Sequence, residues 1–249
     1  MKRFAFAIAV SATTALAAGP LKFESAETHA TLVELFSSEG CSSCPPADAW
    51  ISSLKDRAGL WERFVPVVWH VDYWDRLGWP DRFARPEFTE RQRRYAAAWS
   101  SGSVYTPGFV ANGREWRAWG GAPPAAVSAK PGILRLTMTD RTHAAIVFTP
   151  TTPPAGALHA ELALLGGALE SDVTRGENRG RKLRHDFTVL HFVRTSLTAV
   201  GSRFTAQIEL PAKLEPAPNA IAAWVVSGEN PAPMQATGGW LREAPDRAR

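Results

Sequence analysis

The chain changes texture once, around residues 125–132, where Gly120-Gly121-Ala122-Pro123-Pro124 and Lys130-Pro131-Gly132 punctuate it like a linker. Before that break, strand-like and helix-like stretches alternate. Residues 31–36 (TLVELF) and 64–71 (FVPVVWHV) read as buried strands, and residues 45–57 and 88–98 as helices. Residues 109–112 read as a further strand, entering a tight turn at Asn112-Gly113. A β-α-β order predicts a sheet with at least one parallel pair and helices on its faces. After the break come short apolar stretches at 133–139, 143–148, 158–165, 187–195, 204–210 and 221–226, separated by Gly, Pro, Asn or Asp. Short strands without long helical stretches predict a sandwich-like β fold. The expected organisation is an α/β domain over residues 28–125, followed by a β-rich, sandwich-like domain over residues 132–242.

Composition removes other classes. Ten Trp and twelve Phe in a chain that is 45% hydrophobic exclude disorder as the main state. Neither a glycine period nor sustained heptads appear, so collagen-like and coiled-coil chains are excluded. Lys2 and Arg3 precede an uncharged stretch, and Ala15-Leu16-Ala17 supplies the small-x-small pattern of a cleavage site. Residues 1–18 therefore read as a signal peptide, too short for the roughly 20 residues that span a bilayer. The expectation is a periplasmic or secreted protein without a stable membrane anchor. Basic residues cluster at Arg91–Arg94 and Arg175–Arg184. The second cluster has no interleaved aromatic residue and reads as a solvated hairpin or loop, so nucleic acid is not an expected partner.

The chemistry is concentrated at Cys41-Ser42-Ser43-Cys44, which holds both cysteines of the chain. A pair so spaced closes a small disulfide with little movement. With Cys41 just before a helix, free N–H groups and the positive end of the helix dipole stabilise its thiolate, which favours exchange chemistry. Pro45-Pro46 suits the first helical turn, and Ser42 and Ser43 stand ready to hydrogen-bond the sulfur. An inert structural bridge is the rival reading, because secreted cysteines usually pair. Against it, a two-residue loop removes little unfolded-state entropy. A zinc or copper site is a third reading, but zinc asks for more ligands than His29 and His70 supply here. No metal and no cofactor are expected.

The strand Val33-Glu34-Leu35-Phe36, the CxxC at a helix start, and Ser103-Val104-Tyr105-Thr106-Pro107 before a strand and Asn-Gly turn together resemble the thioredoxin superfamily. More narrowly, residues 33–48 (VELFSSEGCSSCPPAD), Asp72-Tyr73-Trp74-Asp75-Arg76-Leu77-Gly78-Trp79 and Gly176-Glu177-Asn178-Arg179-Gly180-Arg181 are similar to the secreted family filed as domain of unknown function 1223. The resemblance implies a thioredoxin-like α/β domain with an insertion around residues 72–79. It also implies a cis Thr106–Pro107 step beside a Cys41–Cys44 disulfide. Cys41 would be the nucleophile and Cys44 the resolving cysteine. Glu34 would be a buried proton carrier for Cys44; its residue type reads equally as a surface acid or one paired with an arginine. Trp74, Trp79 and Tyr105 are candidates to line a substrate groove, although large aromatics more often pack a core. His70 reads as a structural histidine. The expected partners are a protein or small thiol/disulfide substrate and an unidentified redox partner. The alternative is a secreted binding or structural protein with an inert bridge.

Overall fold

The computed structural model describes residues 19–125 and 127–241; the expected signal peptide lies outside the described residues. The first half contains β1 (Leu21–Glu24), β2 (Thr31–Ser37), α1 (Pro45–Ser53), β3 (Phe64–His70), α2 (Pro86–Ala98), β4 (Gly108–Ala111) and β5 (Arg114–Glu115). The second half contains β6 (Gly132–Met138), β7 (His143–Pro150), β8 (Leu158–Gly166), β9 (Leu169–Asp172), β10 (Lys182–His185) and β11 (Thr188–Ser196). It continues with β12 (Thr198–Val200), β13 (Arg203–Glu209), β14 (Ala220–Ser227) and β15 (Pro233–Trp240).

The expected α/β thioredoxin-like fold, a mixed sheet flanked by helices, does not form. Strand makes up 41% of the structure and helix 13%, with two α-helices among the described residues. The strands of the first half join those of the second in one eight-stranded sheet, ordered β15-β14-β8-β11-β3-β2-β4-β5. The junction is parallel pairing of β11 with β3 at Thr188↔Val68, where the Val68 N–H bonds Phe187 O at 2.8 Å. Pro66 is compatible with a central strand because its missing N–H falls on the β11 side, before that pairing begins.

β2 and β3 pair in parallel and are buried along their whole length, which explains their continuous apolar text. Strand alternation splits β2. Val33 and Leu35 face α1 and pack with Ala47 and Ile51, whereas Leu32 and Phe36 face α2 and pack with Phe88 and Tyr95. Asn112 and Gly113 turn β4 into β5 with φ of 49° and 77°, the positive values that a tight hairpin requires.

A second, five-stranded sheet, ordered β1-β6-β7-β13-β12, packs Leu134, Leu136, Ile146 and Phe148 against Leu162, Leu164, Ile221 and Ala223 of β8 and β14. β6 alternates accordingly, with Leu134 and Leu136 buried and Arg135 exposed. The opposite residues of β8 and β14, including Ala163, Leu165 and Trp224, complete the core under α2.

Candidate functional site

The chain leaves β2 at Ser37 and reaches Cys41 through Ser38-Glu39-Gly40. Cys44 forms the N-cap of α1, and Pro45 and Pro46 occupy its first turn, where N–H groups have no helical partner to lose. Cys41 and Cys44 are joined as a disulfide, with Cα atoms 5.4 Å apart. Ser43 Oγ lies 3.3 Å from Cys41 Sγ. Both cysteines are 0% exposed, although Ser42 and Ser43 between them reach solvent.

The loop joining β9 to β10 supplies part of the cover. Asn178 is buried, and its Nδ2 donates to Glu39 O at 2.8 Å and to Cys41 O at 2.9 Å. Beside it, Glu177 Oε2 accepts from the Ser42 N–H at 3.1 Å. Asn178→Ala leaves both carbonyls without this donor, a loss of about 1–3 kcal/mol for buried groups. Reduction of the disulfide by dithiothreitol is expected to accelerate about tenfold in this variant, since 1.4 kcal/mol of easier opening is a factor of ten. An unchanged rate would show that the loop does not control access.

The other expected residues divide between this region and the rest of the fold. The Thr106–Pro107 peptide is cis and precedes β4. The register Phe36↔Gly108 sets it beside the end of β2 from which the cysteine loop departs. Trp74 links the two segments: its Nε1 donates to Thr106 Oγ1 at 2.8 Å, and its Cβ lies where a side chain on Gly40 would press at 3.1 Å. Trp79 Nε1 donates to Glu39 Oε2 at 2.7 Å. Both indole N–H groups are therefore engaged within the protein. Tyr105 is exposed and, with Pro107, Phe109, Trp116, Arg117 and Trp119, lines a cavity of about 320 Å³. Glu34 is placed elsewhere. It shares the α2 face of β2 with Leu32 and Phe36, and receives Trp69 Nε1 at 3.0 Å, Arg91 Nε at 2.6 Å and the Tyr95 hydroxyl. The sheet separates it from the α1 face, so β2 does not deliver Glu34 to Cys44.

The α1 face instead carries a group of buried ionisable residues, of which the sequence reading weighed only His70, as a structural histidine. Ser37 Oγ donates to Asp48 Oδ2 at 3.0 Å. His70 Nδ1 lies 2.6 Å from Asp81 Oδ2, which also accepts the Glu39 N–H at 2.8 Å. His185 Nε2 lies 3.3 Å from Glu39 Oε1, and its ring meets that of His70 edge-on at 4.8 Å between centroids. Burial pushes the Asp48 carboxyl above its ordinary value, against the pull of His185, His70 and Ser37. Burial alone would lower His70, but the Asp81 carboxylate outweighs it and the imidazole is raised to about 9. Burial likewise opposes ionisation of Asp81, yet the charge and hydrogen bond of His70 hold it below the usual carboxylate range. Among the described residues, no three His, Cys, Asp or Glu side chains are arranged to hold a metal ion. The available signals were the four-residue step from Cys44 to Asp48 and the inward parity of His70 in β3.

A family model described as "Protein of unknown function (DUF1223)" matches residues 32–226. The chain belongs to the DUF1223 family. A search of curated proteins finds no match. Among solved structures, a crystal structure of a protein from Agrobacterium tumefaciens is similar, with 22% identity and a TM-score of 0.58. The match covers 86% of this chain and 96% of that one. HBP35 of Porphyromonas gingivalis is similar at 16% identity and a TM-score of 0.59, over 89% of this chain and 78% of that one. At these identities the likeness is one of fold. The DUF1223 match takes in the cysteine pair, the Thr106–Pro107 segment and the Asn178 loop together.

Proposed function

We infer that this protein carries out thiol–disulfide exchange outside the cytoplasm through Cys41 and Cys44, acting on a protein or small thiol/disulfide. The observation that carries this reading is the setting of the bridge. A disulfide that closes two intervening residues adds little stability. Yet it lies at the start of α1, beside a face that buries Glu39, Asp48, His70, Asp81 and His185, an arrangement costly to fold. Buried ionisable groups gathered next to a pair of sulfurs suit exchange chemistry, because they can give and take protons as the sulfurs change state.

In the reaction, a substrate thiolate attacks Cys41 Sγ. A substrate–Cys41 disulfide forms, the Cys41–Cys44 bond breaks, and its electron pair leaves on Cys44 as a thiolate. Attack by a second substrate thiolate on the substrate sulfur completes oxidation of the substrate and releases Cys41 as a thiolate. Both cysteine thiolates then take up protons. The reverse sequence reduces a substrate disulfide, and the reduction potential decides which direction runs. Because both cysteines are fully buried, either direction requires the segments around them to move, and the Asn178 loop is one that holds the Cys41 backbone in place. Full burial also favours the second reading, an inert bridge in a binding or structural protein.

The deciding experiment equilibrates the mature protein in glutathione buffers, traps free thiols to read the potential, and assays exchange with a disulfide substrate. A potential between about −120 and −270 mV, with exchange lost in Cys41→Ser, supports the exchange reading. A potential below about −300 mV without exchange supports the inert bridge.

A further inference from the structure

When the Cys41–Cys44 bond breaks, a thiolate appears on Cys44 inside the protein, where an unneutralised charge is costly. A group close to Cys44 within the fold must supply its proton. Asp48 meets that need by position. Its backbone N–H bonds Cys44 O at 3.0 Å, one helical turn along α1, so the two side chains share a helix face and their Cβ atoms lie about 5–6 Å apart. Asp48 is itself buried. Ser37 supplies a hydrogen bond to one carboxylate oxygen, and Oδ1 has no hydrogen-bond partner.

Asp48 also lines a cavity of about 460 Å³ between α1 and β10. His185 forms part of the opposite wall, and the exposed side chains of Lys55, Lys182 and Arg184 bring that cavity to solvent.

Resting on the exchange reading above, we propose that Asp48 is the proton donor and acceptor for Cys44, and that the cavity between α1 and β10 connects it to solvent. As the Cys41–Cys44 bond breaks, the Asp48 carboxyl gives its proton to the Cys44 thiolate, directly or through one water, and is reprotonated from the cavity. In reverse, the Asp48 carboxylate takes the Cys44 proton. The resulting thiolate attacks Cys41 Sγ of the mixed disulfide and expels the substrate thiolate. The surroundings hold the Asp48 carboxyl above its ordinary value. Burial and Asp81 favour the protonated acid; His185, His70 and the Ser37 hydroxyl favour the carboxylate. Glu39 is the remaining acid of this face, beside His185, and Asp186 lines the cavity where it pairs with Lys55 at 3.0 Å.

The test uses the full mature chain carrying a cysteine peptide as a mixed disulfide on Cys41, and follows release of the peptide thiol against pH. Asp48→Asn is expected to slow release near neutral pH about 100-fold and to remove its acid-side pH dependence. Asp48→Glu should restore a large part of the rate. Alkylation of Cys41 in a Cys44→Ala background should be unaffected by Asp48→Asn. Release at the wild-type rate with the wild-type pH profile in Asp48→Asn overturns the assignment of Asp48 and leaves the exchange reading standing. A wild-type protein that forms no mixed disulfide overturns the exchange reading itself. Should Asp48→Asn fail to fold, thiolate absorbance in Cys41→Ser decides. Titration of Cys44 in two coupled steps supports the proposal, and a single unperturbed step overturns it.

Discussion

Arg91→Met is expected to be the most damaging single substitution in the molecule, costing about 3–5 kcal/mol in urea denaturation. The guanidinium is buried and binds two carboxylates, with Nε 2.6 Å from Glu34 Oε1 and Nη1 2.7 Å from Glu161 Oε2. It also lies over the rings of Trp69 and Trp224, 4.8 and 5.2 Å from their centroids. Methionine keeps much of the volume but leaves Glu34 and Glu161 buried without their cation. Arg194 gives limited relief, since it approaches Glu161 at 3.8 Å and has no ion pair with Glu34. Domains of this kind hold about 5–15 kcal/mol in all, so much of the folded population is at stake. Because Glu34 stands on β2 and Glu161 on β8, Arg91 ties together strands from opposite sides of the expected domain break. Adding Glu34→Gln and Glu161→Gln to Arg91→Met should recover a large part of the loss, because neutral amides are far less costly to bury. A loss below about 1 kcal/mol in Arg91→Met would mean that the network contributes only as much as an exposed ion pair.

That residue marks where local reading of the sequence stops. The strands after the break were legible because residues such as Leu134, Leu136 and Met138 recur at period two, and Asn112-Gly113 announced its own hairpin. The cysteine pair and its place before a proline-led helix were equally local. Arg91, by contrast, sits in a run of polar and basic residues that reads only as a polar helix, and its two acidic partners are 57 and 70 residues away. The joining of the halves was hidden for a related reason. β11 meets β3 through the single pairing Thr188↔Val68, and no periodicity within either strand encodes which edge it will seek. Glu34 shows the opposite case: its parity with Leu32 and Phe36 was readable, but which face of β2 would receive α1 was not. The same uncertainty hid Asp48, His70 and His185 as one group, since they arrive from a helix and two strands far apart in sequence.

Stability should fall as pH rises from neutrality, and His70 is the expected cause. Its folded value is raised from 6.5 to about 9, because Asp81, aided by Asp48 and Glu39, outweighs the burial that would otherwise lower it. The protonated imidazole is thus favoured by folding. Its contribution is complete below pH 6.5 and is lost as pH climbs through about 9. For a fully buried group, a shift of this size corresponds to roughly 3 kcal/mol, counted once for the His70–Asp81 pair. The urea midpoint of the wild-type protein should therefore drop across that window at constant salt. His70→Gln removes the titration while keeping an N–H that can serve Asp81, and its midpoint should stay level across the same range. At acid pH the sign reverses. Asp81 is held below its ordinary value, so its contribution is present at neutral pH and disappears as acid protonates it. Parallel slopes for wild type and His70→Gln above pH 6.5 would show that His70 is buried as the neutral imidazole, and that Asp81 is stabilised by the Glu39 and Phe83 N–H groups instead.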